Sequence, residues 1–115
     1  MKYYYNDKLI RTSDHVYTHA VIGADGGCIA CRNGYDNALK ARNAMKNNTV
    51  IKEYNDAINA LKSGKKYYTY KVCRITHTHY FKPEDTIEKY QEWLERAKVW
   101  NEAVDNLQIV ELVAR

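Results

Sequence analysis

Between Gly64 and Pro83 the chain runs without a glycine or proline, and most of that run is β-branched or aromatic: Tyr67-Tyr-Thr-Tyr-Lys-Val-Cys-Arg-Ile-Thr-His-Thr-His-Tyr-Phe81. Such residues fit a pleated, half-buried surface, so the run predicts one long central strand. Alternate residues of a strand share a face. One face would carry Cys73, Ile75, His77, His79 and Phe81, the other Tyr70, Val72, Arg74, Thr76, Thr78 and Tyr80. Neither face is purely apolar, and both grow more polar towards Phe81. The strand therefore leaves the core and enters a groove or an interface. Directly after it, Lys82-Pro-Glu-Asp85 leads into an amphipathic pattern that predicts a helix from about Glu84 to Asn106. Ile87, Tyr90, Leu94, Ala97, Val104 and Leu107 make its buried stripe. Trp93 and Trp100, seven apart, share a flank wide enough for a subunit contact. Asp85-x-x-Glu88 has the pattern of a capping box.

The rest of the chain supplies short strands and a second helical region. Lys2 to Tyr5 and Lys8 to Arg11 flank Asn6-Asp7, whose residues tolerate the positive φ of a two-residue hairpin turn. Val16 to Ile22 and Cys28 to Arg32 flank Ala24-Asp25-Gly26-Gly27, a strong turn signal. These four strands predict a small antiparallel meander. From Tyr35 or Asp36 a helical pattern runs to Ser63, with Gly64 as its stop. Asn47-Asn48-Thr49 is a weak point, since all three are poor helix formers. The pattern predicts either one long helix or a break there. Gln108 to Val113 predicts a final strand that could pair with the central one. The chain thus reads as a single α+β domain over residues 1–115: a small antiparallel sheet, the N-terminal meander plus long central and C-terminal strands, packed with two helices.

Charge and composition limit the function. The 115 residues carry a net charge of +4, with 18 Lys and Arg spread along the chain. That favours small anions or an acidic partner over DNA. No apolar run approaches the roughly 20 residues of a membrane span, and the N-terminus lacks the apolar core of a signal peptide, so a cytoplasmic protein is expected. Three cysteines is an odd count, which argues against a disulfide framework. There are 11 tyrosines against one phenylalanine; tyrosine combines a flat apolar ring with a polar tip, suited to interfaces and to nucleobase stacking.

Catalytic patterns are sparse. Cys28-Ile-Ala-Cys31 is a C-x-x-C motif, but residues three apart in a regular strand point to opposite faces, which is wrong for joint ligation of a metal. A redox pair would need the motif at a helix N-terminus, and Asn33-Gly34 intervenes. His77 and His79 share a strand face and form a possible two-ligand element. No Gly-x-Ser-x-Gly is present, and Ser13 and Ser63 are the only serines. No catalysis, metal or cofactor is expected. What remains is a binding surface in which rings could stack a base while Arg and Lys meet phosphates.

The segments Lys2-Tyr-Tyr-Tyr-Asn-Asp-Lys-Leu-Ile-Arg-Thr-Ser13, Tyr17-Thr-His-Ala20 and Val110-Glu-Leu-Val-Ala-Arg115, with the order of elements, resemble the first described family of phage Thoeris anti-defence proteins. That resemblance implies a non-enzymatic sponge that sequesters a cyclic ADP-ribose isomer, in some members also cyclic oligonucleotides. It also implies dimers that build into hexamers. An aromatic residue near the end of the central strand would stack the base, matched by Phe81, and a polar residue on the last helix would hold the ligand, matched by Gln91, with Tyr90 its neighbour in register. The candidate ligand-binding set is Phe81, Gln91, Tyr90, Arg74, His77, His79, Tyr80, Lys82 and Arg115. The alternative is an inhibitor that binds a host defence protein directly through its Tyr and Trp surface.

Overall fold

A computed structural model describes residues 1–115. The fold is α+β, with eight strands in small antiparallel sheets. The chain forms two compact units, Met1–Lys46 with Glu102–Arg115, and Asn47–Asn101.

In the first unit, β1 (Lys2–Tyr5) and β2 (Lys8–Thr12) form the expected hairpin. Asn6 and Asp7 sit at φ 49° and 61°, the left-handed conformation that a type I′ turn demands of both central residues. β3 (His19–Ile22) pairs with β4 (Cys28–Arg32). Their loop is closed by the Gly23 and Gly27 backbones and by the Gly27 amide donating to the Asp25 carboxylate at 2.9 Å. The four strands do not make one meander. They belong to two three-stranded sheets, ordered β2-β1-β8 and β4-β3-β7. The C-terminal segment supplies the third strand of each: β7 (Gln108–Glu111) lies along β3 and β8 (Val113–Ala114) along β1. The final strand therefore does not pair with the central stretch. Its Val110 and Leu112 pack on the buried Ala20, Ile22 and Cys31 instead, and Ile109 lies opposite buried Val21.

Ala20, Ile22 and Cys31 form the core of this unit, with Ile10, Tyr17, Val110 and Leu112 packed on it. Helix α1 (Tyr35–Asn43) packs against β3 and β4 and buries Ala38. Tyr3 is buried, and its hydroxyl donates to the His15 carbonyl and accepts from the Tyr17 amide. The buried phenol thus has the partners that its desolvation requires.

The helical region breaks where the asparagines lie. After α1, the Met45 and Lys46 amides reach back only three residues, to the Arg42 and Asn43 carbonyls, a tightened turn that ends the helix. Helix α2 (Asn48–Lys62) then starts the second unit. No side chain caps its first turn, but the Asn47 amide donates to the Asn101 side chain at 2.7 Å. Gly64, at φ 72°, ends α2 as predicted. The Lys65 amide bonds the Ala60 carbonyl and the Gly64 amide the Leu61 carbonyl, which satisfies two of the orphan acceptors of the last turn.

The central stretch is not one long strand. Residues 67–80 are a β-hairpin, β5 (Tyr67–Val72) and β6 (Ile75–Tyr80), turning at Cys73-Arg74. Cys73 lies at φ 50° and Arg74 at φ 70°. Neither residue type signals a turn, so the sequence reads straight through it. The hairpin changes which residues share a face: Tyr68, Tyr70 and Val72 stand with His79, His77 and Ile75, while Tyr67, Thr69 and Lys71 stand with Tyr80, Thr78 and Thr76.

Helix α3 (Ile87–Asp105) follows. Its cap is Thr86 rather than Asp85: the Lys89 amide donates to the Thr86 hydroxyl, and the first helical bond runs from the Tyr90 amide to the Thr86 carbonyl. Asp85 instead accepts from the Lys82 amide at 2.8 Å and pairs with His79 Nε2 at 2.9 Å. Both contacts hold its carboxyl below the usual range, the Lys82 amide most strongly. The core of this unit gathers Ala57, Ile58 and Ala60 of α2, Tyr68 of β5, and Tyr90 and Leu94 of α3. Of the predicted α3 stripe, Tyr90, Leu94, Ala97 and Val104 are buried, while Ile87 and Leu107 are half-buried. Each large apolar side chain sealed this way contributes about 1.5–3 kcal/mol.

Candidate ligand-binding site

The hairpin separates the predicted ligand set. Arg74 occupies the turn, and Phe81 follows the opposite end of β6; the six residues of β6 lie between them, roughly 20 Å of strand. Phe81 is half-buried. Its ring stacks on Tyr68 with centroids 5.5 Å apart and meets Tyr90 edge-on at 6.3 Å. It thus packs against the core of its unit, beside buried Tyr90. Burial pushes the Tyr90 phenol up in pKa. Gln91 is the next residue of α3 and is exposed. His79 is held by Asp85. His77 lies on Tyr70, rings stacked at 5.3 Å. Lys82 is exposed in the loop after β6; its backbone amide donates to the Asp85 carboxylate and its carbonyl accepts from the Asp85 amide. Arg115 belongs to the first unit, where its guanidinium pairs with Asp7 at 2.8 Å and lies 4.6 Å from the Tyr4 ring centre. The structure therefore brings Phe81, Tyr90 and His79 together as packing. It does not converge the eight residues of the second unit on one cavity.

Tyr80 has a different setting. It is on the other face of the hairpin, 68% exposed, with its ring centre 5.7 Å from that of Tyr67. These two rings belong to a cleft of about 910 Å³ between α2 and β5, lined by Asp56, Asn59, Ala60, Ser63, Lys65, Lys66, Tyr67, Tyr68, Thr69 and Tyr80. That volume lies within the range of small-molecule sites, about 300–1,000 Å³. Each wall follows from local structure. Residues Asp56, Asn59, Ala60 and Ser63 recur at helical spacing along one side of α2. The Gly64 turn then sends Lys65 and Lys66 directly into β5.

The backbone adds donors and acceptors. A two-residue turn makes Val72 and Ile75 a hydrogen-bonded pair, and Phe81 donating to the Lys66 carbonyl keeps the same phase at the far end. Tyr67 and Thr69 then direct their N–H and C=O groups away from β6, and no other backbone group bonds them. Lys65 and Lys66 are exposed and form no ion pair. The carboxylate of the cleft, Asp56, is engaged by Lys52 at 2.9 Å. In the cleft lining, Tyr68 is fixed by donating to Glu53 at 2.9 Å; burial, and then this bond, raise its pKa well above the ordinary value. Two ammonium groups, two accessible rings and free backbone groups can together hold a flat, anionic molecule. The sequence does carry a signal for this site, the basic–aromatic run Lys65-Lys-Tyr-Tyr68 behind Gly64.

The unit also has a smaller apolar hollow of about 370 Å³, lined by Asn47, Val50, Tyr54, Trp93, Arg96, Ala97 and Trp100. Trp93 and Trp100 thus do share a flank, 36% and 48% exposed. No group of three or more His, Cys, Asp or Glu side chains is arranged to hold a metal ion. No helix is long and apolar enough to cross a membrane. No family profile, curated protein or solved structure matches the chain.

Proposed function

We propose that the protein captures a cyclic ADP-ribose isomer and holds it without cleavage, acting in the cytoplasm of an infected bacterial cell as a phage-type anti-defence sponge. The observation that carries this reading is the α2–β5 cleft, where Lys65 and Lys66 stand beside the Tyr67–Tyr80 ring pair. A cyclic ADP-ribose isomer offers one flat base and two phosphates, which match rings and ammonium groups respectively. Tyr80 stays in the ligand set. Tyr67, Lys65 and Lys66 join it, and Phe81 becomes a support for the Tyr68 wall. A sponge cannot turn over, so its affinity must come from several charge-assisted contacts at once.

The test is recovery of ligand. The protein is purified from cells with active TIR signalling and denatured, and the released nucleotides are identified by mass spectrometry. An intact cyclic ADP-ribose isomer in near-stoichiometric yield is expected. A linear or hydrolysed product would replace capture with catalysis. A co-purifying host protein with no nucleotide would favour direct inhibition, for which the exposed Trp93 and Trp100 rims offer the anchor residues typical of interfaces.

A further inference from the structure

The C-x-x-C segment of β4 departs from regular strand geometry in a way that changes its chemistry. Val21 pairs with Ala30, but the next residue of β3, Ile22, pairs with Cys28. One residue of β3 is thus matched by two of β4, and Ile29 is the extra residue of a β-bulge. Without the bulge, Cys28 and Cys31 would point to opposite faces. With it, Cys31 opposite Ala20 and Cys28 opposite Ile22 stand on the same face. Their sulfurs are 3.4 Å apart. Cys31 is fully buried, whereas Cys28 is exposed. One thiol is therefore open to a reagent, and its neighbour is reachable only from inside the protein.

We propose that Cys28 and Cys31 form a reversible intramolecular disulfide, with a low-molecular-weight disulfide such as oxidised glutathione as the oxidant. Cys28 loses its proton and attacks one sulfur of the oxidant, whose S–S bond breaks and releases one glutathione thiolate. Cys31 then loses its proton and attacks the Cys28 sulfur of the mixed disulfide, expelling the second glutathione. The protein gives up two electrons and two protons, and the oxidant becomes two thiols. Closure shortens the sulfur separation from 3.4 Å to the bonded length of about 2.05 Å. Partial desolvation of its sulfur, and then the hydrogen bond to Cys31, push the Cys28 thiol up to about 11. The first step is consequently slow at neutral pH and accelerates in alkali.

The third cysteine, exposed Cys73, lies in the other unit and is the internal control. The full-length protein is treated with oxidised glutathione, digested without reduction and mapped by mass spectrometry. The expected result is a Cys28–Cys31 cross-link that has lost two hydrogens and carries no glutathione, alongside a stable glutathione adduct on Cys73. Cys31→Ser should trap the adduct on Cys28, with circular dichroism of the same sample confirming a native fold. A lasting glutathione adduct on wild-type Cys28 with Cys31 still free would overturn the proposal, as would a Cys28 that reacts only when denaturant is present.

Discussion

Replacing Cys73-Arg74 by Asn-Gly tests the hairpin most directly. Both native residues occupy left-handed backbone, at φ 50° and 70°. That conformation costs a residue with a Cβ roughly 1–2 kcal/mol relative to the ordinary regions. Asn tolerates it better, and Gly adopts it without steric cost. Against this relief stands the larger backbone entropy that Gly loses on folding, roughly 0.5–1 kcal/mol. The net expectation is a turn stabilised by about 1–2 kcal/mol. Val72 and Ile75, beside the turn, are 49% and 62% exposed. The distal ribbon therefore opens locally before the unit unfolds, and much of the gain will not reach the global melting temperature. The proper assay is native-state hydrogen exchange on the cross-strand amides of Tyr70, Val72, Ile75 and His77. Their protection should rise by about tenfold, the factor for 1.4 kcal/mol, while the amides of α2 and α3 change little. If residues 67–81 were instead one continuous strand, Asn-Gly at its centre would lower protection on both sides. Loss of protection would therefore refute the hairpin.

Other substitutions probe the core, the cleft and two titrating groups. Leu94→Ala removes a side chain that is 7% exposed and packed in the α2–β5–α3 core, and denaturant unfolding should show a loss of roughly 2–5 kcal/mol; a loss below about 1 kcal/mol would mean that this face is not the packed one. Tyr80→Ala, by calorimetry with a cyclic ADP-ribose isomer, should cost the roughly 1–3 kcal/mol of base stacking and leave the melting temperature nearly unchanged, whereas Phe81→Ala should chiefly lower thermal stability. Changing both Lys65 and Lys66 to Gln should weaken the same binding and flatten its salt dependence; unchanged affinity would remove them from the site. Asp85 has a folded pKa below its ordinary 3.8, so its stabilisation is present above that value and is lost as pH falls through the lower folded one; Asp85→Asn should flatten the acid limb of a stability–pH curve. Tyr68 has its pKa raised, so its contribution is intact below pH 10.0 and is lost as pH rises beyond it; Tyr68→Phe should reduce the alkaline loss.

What the sequence determined by itself was set by local chemistry. Asn6-Asp7 and Gly26 specified turns because few other residues accept left-handed backbone. The asparagines at 47 and 48 marked the helix break, and Gly64 marked the end of α2. The α3 stripe followed from helical period alone, since Tyr90, Leu94 and Ala97 recur where one face must be buried. Non-local choices were decided only by the tertiary structure. The turn at Cys73-Arg74 is held by cross-strand pairs such as Tyr70 on His77, not by residues that favour left-handed backbone. Strand partners depend on which edges are open, so Gln108 to Glu111 joined β3 and left the hairpin two-stranded. The bulge at Ile29 is likewise a property of a pair of strands. It reversed the geometry expected of Cys28 and Cys31, because a single chain carries no record of how many residues its partner places opposite. The cleft has the same origin: Lys65-Lys-Tyr-Tyr68 is legible as a basic–aromatic run, but it becomes a wall only when α2 folds back beside β5 and Tyr80 arrives from across the turn.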